Sequence, residues 1–187
     1  MKKTILLLGV ILFGFFFGCE RDDICSQDKV TTPRLVIEFY DNTNRDTPKN
    51  IANLRVQGVG NNQPLPDYTG SQNTSQLIYL PLKTDIAEGE MGTTQFVLTK
   101  DYGIDDNDTP NDPDDDILIG NSDTITISYS TREEYVSRAC GYKTVFENIS
   151  IVRENEADEN YWIFDLEPVE ENIIIENEKE THYKIYN

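Results

Sequence analysis

One histidine, one tryptophan and three cysteines stand in this chain of 187 residues, and its 16 lysines and arginines face 34 aspartates and glutamates, a formal net charge of −18. Each scarcity removes a class of function. A zinc site built on several histidines is excluded by count. A Ser–His–acid triad would have to draw on His182, for instance with Ser137, and no G-x-S-x-G elbow surrounds any serine. A lone histidine of this kind, four residues beyond Glu178, reads first as a partly exposed or hydrogen-bonded side chain. A chain this acidic should repel nucleic acid, because binding there runs on Lys and Arg neutralising phosphate. Anionic membrane surface is repelled for the same reason. The sequence has no phosphate-cradling glycine loop and no dinucleotide fingerprint, no internal repeat, and no amphipathic helix of ordinary length.

Low hydrophobicity with high charge is the composition of disorder, but 10 Tyr, 8 Phe and the Trp argue for a folded core with acidic loops. The start of the chain has a different character. Met1–Cys19 reads MKKTILLLGVILFGFFFGC: Lys2 and Lys3, an apolar run from Ile5 to Phe17, then Gly18 and Cys19. This is the charged, apolar and small-residue sequence of a secretory signal. The run is shorter than the ~20 residues that cross a bilayer as a helix, so a retained transmembrane anchor is the second reading and a plain secretory signal the third. A cysteine directly after the small residue resembles the lipobox of a bacterial lipoprotein precursor, with Phe16 and Phe17 bulkier than the residues commoner there. The resemblance implies cleavage before Cys19 and lipid on its sulfur, making residues 1–18 the signal peptide. Residues 19–32 become the lipidated N-terminus and tether, and residues 33–187 a single domain. The mature charge is then −20, so lipid rather than charge would hold the protein to its membrane.

Lipidation of Cys19 leaves Cys25 and Cys140. An exported protein sits where disulfides persist, and a Cys25–Cys140 bridge is the expectation; two unpaired thiols, one of them in the N-terminal arm, are the alternative. Zinc sites of four Cys, or of three Cys and one His, then fall away as well. The residues after the anchor, Arg21, Asp22 and Asp23, resemble the short export signals of Bacteroidota surface lipoproteins. The alternative is a solvated tether. The expected address is the outer membrane, on its periplasmic or its cell-surface face.

Along the mature chain the period is two. Leu35, Ile37 and Phe39 alternate with Val36, Glu38 and Tyr40 after Pro33. Further strands are expected over 51–59, over 76–82 with Pro81 marking an edge or a strand end, and over 93–100. Residues 123–130 place Ile125, Ile127 and Tyr129 on one face. Two strands are expected within 133–152 around Gly141, with one helical turn at 132–139 as the alternative, and others over 161–168, 172–175 and 183–186. Turn chemistry fills the gaps. The expected fold is all-β, an antiparallel β-sandwich, immunoglobulin-like or related. The stretch DYGIDDNDTPNDPDDD, residues 101–116, has no apolar periodicity and reads as an acidic loop.

TTPRLVIEFYD, LPL, DTITISY, EEYVSRACGYKTVFEN, YWI, IENE and HYKIY together resemble a family of small Bacteroidota lipoproteins of uncharacterised function. The resemblance implies an envelope location and brings no activity and no catalytic residues.

The acidic loop is the one local candidate site. Calcium takes about six to eight oxygens, and Asp106, Asp108, Asp112, Asp114 and Asp116 offer them. Pro110 and Pro113 stand where calcium loops carry a turn glycine, and a solvated insertion of repelling charges is the competing reading. No cofactor other than calcium is expected. Two functions of different class remain: a non-enzymatic envelope module binding a protein or a glycan, and an envelope hydrolase with a carboxylate or calcium-assisted site.

Overall fold

A computed structural model describes Cys25 and residues 32–87, 89–108, 113–155 and 159–187. Ten strands lie among them: β1 (Leu35–Tyr40), β2 (Ile51–Ala52), β3 (Arg55–Gly58), β4 (Thr74–Ser75), β5 (Leu77–Leu80), β6 (Met91–Asp105), β7 (Ile117–Ser137), β8 (Gly141–Arg153), β9 (Asp165–Pro168) and β10 (Tyr183–Tyr186). They form a sheet in the order β5-β1-β10-β9, a second in the order β3-β6-β7-β8, and a two-stranded ribbon β2-β4.

Alternation decides which side chains face inward. Leu35, Ile37, Phe39, Ile78, Leu80 and Ile185 of the first sheet share one core cluster with Val56, Phe96, Leu98, Ile125, Ile127 and Tyr129 of the second. Two sheets with one core between them are a sandwich, and neither closes into a barrel. The buried Tyr129 hydroxyl is satisfied by Thr94 Oγ1 at 2.6 Å and by the Lys83 N–H at 2.8 Å, as a phenol in an apolar core requires.

The all-β sandwich follows the expectation, with one exception to its antiparallel pairing. β1 and β10 run parallel, Ile37 beside Tyr183 through Tyr40 beside Tyr186. First and last strands are joined by the whole chain, so no short hairpin dictates their direction.

Other differences are local. The strand expected over 51–59 is two strands, broken at Asn53, whose φ of 45° turns the chain from β2 into β3. Residues 161–168 form a strand only at Asp165–Pro168; Trp162 and Ile163 are buried as irregular chain. Residues 172–175 hold no strand, and Ile175 makes a single bridge to Phe146. The segment 132–137 is strand rather than a helical turn, because it pairs with β8. The acidic stretch is a hairpin tip rather than a loop throughout. Asp101–Asp105 complete β6, and Ile104 pairs with Leu118 of β7. An extra residue in β6 between Lys100 and Gly103, with Asp101 at φ 54°, bulges the ladder where this arm begins.

Cys25 and Cys140 are bonded, their Cα atoms 4.8 Å apart, which bears out the pairing expected from cysteine parity. Cys140 ends the three-residue turn between β7 and β8, and Gly141 beside it has a φ of +71° that favours glycine. Cys25 is thereby fixed to that turn.

Candidate functional site: the outer face of the first sheet

The outward side chains of β1 and β10 are not a plain solvated face. The register sets Glu38 beside Lys184 and Tyr40 beside Tyr186, and Lys184 in turn beside Glu167 of β9. Cations lie over the rings: Lys184 Nζ is 4.6 Å from the Tyr40 ring centre, and the Arg45 guanidinium is 4.2 Å from that of Tyr186. Arg45 also donates to Asp165 at 2.8 Å and Glu167 at 2.7 Å. At the other end of β1, Arg34 grips Glu178 with Nε at 2.9 Å and Nη2 at 2.7 Å, over the Tyr79 ring. The Arg34 hydrogen bond holds the Glu178 carboxyl below its ordinary range.

A cleft of about 630 Å³ opens on this face. Its floor is Glu38, Tyr40 and Lys184; its wall is the excursion between β9 and β10, which brings Glu170, Glu176 and Glu180 around it. Glu38 is held by the Tyr40 hydroxyl at 3.0 Å and by Gln76 Nε2 at 3.3 Å. The wall is tied down where Val169 N donates to His182 O at 3.0 Å and Ile175 exchanges hydrogen bonds with Phe146. Four carboxylates and one ammonium make a site for hydrogen-bond donors or for positive charge.

His182 borders the cleft but is structural. It is 6 % exposed, its Nδ1 accepts the Val36 N–H at 2.9 Å, and the backbone of Asn177 occupies the other side of the ring. Burial lowers its pKa below the ordinary 6.5, against the opposing carboxylates of Glu180 and Glu178. The neutral ring is therefore the folded form, and the unfolded chain binds the proton more readily. The stability this supplies is complete above pH ~6.5 and is lost as pH falls through the folded pKa. Urea unfolding at pH 7.5 and at pH 5.5 should show a lower midpoint at 5.5. His182→Gln, in a chain with no other histidine, should flatten that slope; an unchanged slope would place the titration elsewhere. Ser137, the serine paired with His182 on paper, closes the β7–β8 turn by accepting the Cys140 N–H at 3.1 Å.

Of the calcium candidates, Asp106 and Asp108 sit on the β6 side of the hairpin tip. Asp114 and Asp116 sit on the β7 side, around a 3-10 turn at Pro113–Asp115. Asn107 Nδ2 reaches Asp115 Oδ2 at 3.5 Å across the tip. Among the described residues no group of three or more His, Cys, Asp or Glu is arranged to hold a metal ion. Asp112, Cys19 and the Arg21–Asp23 trio lie outside the described residues.

The sequence reading missed the Arg34, Arg45 and Lys184 stacks and the cleft. The alternation in VIEFY and YKIY marks Tyr40 and Tyr186 as outward, but their adjacency needs the parallel register. No curated protein and no solved structure matches the chain. The stretch 53–187, which takes in β3 to β10 and Cys140 but neither β1 nor Cys25, matches a family of unknown function, DUF6452, and the chain belongs to that family.

Proposed function

We propose that this chain is a lipid-anchored protein of the cell envelope, a non-enzymatic binding or structural module held on the outer membrane by lipid at Cys19. The Cys25–Cys140 disulfide carries the reading. Such bonds persist in oxidising compartments and are rare in the cytosol, so the bridge supports export, and the Gly18–Cys19 junction supports lipid as the form of attachment. The resemblance to Bacteroidota lipoproteins supports the same address. The cleft over β1 and β10 is the surface a protein or glycan partner would use, with carboxylates to accept its hydrogen bonds and the Tyr40 edge as an apolar contact.

Anchoring is tested at its first atom. Cys19→Ser in the full chain should abolish palmitate labelling and move the protein from the membrane to the soluble fraction. Labelling that survives the substitution overturns the anchor.

A further inference from the structure

β7 is one strand of 21 residues, up to about 65 Å from end to end at ~3.3 Å per residue. Its two ends differ in chemistry. At Ile117 it leaves the acidic tip, and the stretch 101–116 holds eight aspartates and no cation. At Ser137 it enters the turn that the disulfide ties to Cys25. There, residues 132–147 hold three cations, Arg132, Arg138 and Lys143, against Glu133, Glu134 and Glu147. Arg132 pairs with Glu147 at 2.8 Å and Lys143 with Glu134 at 3.2 Å. Residues 101–116 are strongly negative; residues 132–147 are balanced.

The balanced end also carries two large exposed rings. Tyr135 and Tyr142 face each other across the β7–β8 ladder, ring centres 5.4 Å apart and edge to face, and are 55 % and 64 % exposed. Six residue steps separate Cys19 from Cys25, at most about 22 Å of chain. We propose that the turn end of the β7–β8 hairpin rests on the bilayer surface, with Tyr135 and Tyr142 seated at headgroup level and the acidic hairpin tip pointing away. The proposal rests on the lipid anchor at Cys19. Given that anchor, the short tether brings this end to the membrane and leaves the far end of β7 well beyond its reach. Tyrosine, apolar in body and polar at its tip, favours the membrane–water interface, and the exposed Arg138 in the turn meets phosphate there. The aspartates of the tip are repelled by an anionic surface, which turns the domain upright rather than flat.

Facing tyrosines also stabilise a hairpin without touching lipid, so the test measures depth. The full lipidated protein is reconstituted in vesicles of phosphatidylethanolamine and phosphatidylglycerol, with or without bromine on the upper acyl chain. Tyr135→Trp and, separately, Tyr142→Trp add an indole at the proposed contact; Leu118→Trp adds one on the exposed hairpin arm. The buried Trp162 is common to all three. The added emission at 135 and 142 should be mostly lost in brominated vesicles, and that at 118 unchanged. Protein that floats with the vesicles while positions 135 and 142 escape quenching overturns the orientation and leaves the anchor standing. Protein that neither floats nor carries palmitate overturns both. Positions 135 and 142 unquenched in vesicles but shielded from aqueous quencher in native membranes would assign them to a protein partner instead, again overturning the lipid contact.

Discussion

Removing the disulfide should cost the domain about 4–5 kcal/mol on the chain-entropy account of cross-links. The bridge closes a separation of 115 residues, and the loop-closure entropy it removes from the unfolded chain grows with that length. A domain has in total about 5–15 kcal/mol of stability, so the loss is a large share. Both cysteines are only half-buried, so substitution opens little cavity. The effect should therefore be one of the unfolded state: Cys25→Ala, Cys140→Ala and the double substitution should all unfold at nearly the same, lowered urea concentration. Dithiothreitol should bring the unmodified protein to the same midpoint. A double substitution that unfolds within about 1 kcal/mol of the intact protein would mean that the N-terminal arm is restrained by other means.

Trp162→Ala should be the most damaging change in the core, about 3–5 kcal/mol. Trp162 belongs to no strand, yet it is 2 % exposed and wedged between the sheets. Its ring lies 6.0 Å from that of Phe39 in the first sheet, and its indole N–H donates to Leu98 O in the second at 3.1 Å. The irregular backbone around it is satisfied by a buried carboxylate: Asp123 Oδ2 accepts the Trp162 N–H at 3.1 Å and the Ile163 N–H at 2.6 Å. Trp162→Phe keeps most of the ring volume and forfeits the bond to Leu98, and should cost about 1–2 kcal/mol. Chemical denaturation of the three proteins checks the order. Equal losses for Phe and Ala would shift the weight from packing to the single hydrogen bond.

Several strands were legible because alternation is local. Leu35–Ile37–Phe39 and Ile125–Ile127–Tyr129 each announce a buried face within six residues, and those faces are the ones that meet. The hairpin arm was illegible for the converse reason. Its ladder is held by backbone hydrogen bonds outside the core, so Asp101–Asp105 needs no apolar period to be strand, and Ile117, Leu118 and Ile119 remain exposed there. YWIF has strand composition, but Trp162 and Ile163 give their N–H groups to Asp123 instead of to a neighbouring strand. The cleft was not legible at all, since Glu38 and Tyr40 of its floor lie more than a hundred residues from the segment that forms its wall.

Order and composition along the chain are enough for the all-β class and, with Cys19 lipidated, for the expectation that Cys25 and Cys140 pair. These follow from periodicity and from counts, which do not depend on how distant segments meet. Tertiary structure alone decided that β1 and β10 run parallel, that Tyr40, Tyr186 and their cations form one face, and that the neutral His182 braces the start of β1. It also set the acidic tip and the disulfide at opposite ends of a single strand. Each of these depends on register between residues far apart in the chain, where hydrogen-bond partners are chosen by the packing of the whole core rather than by the neighbours in sequence.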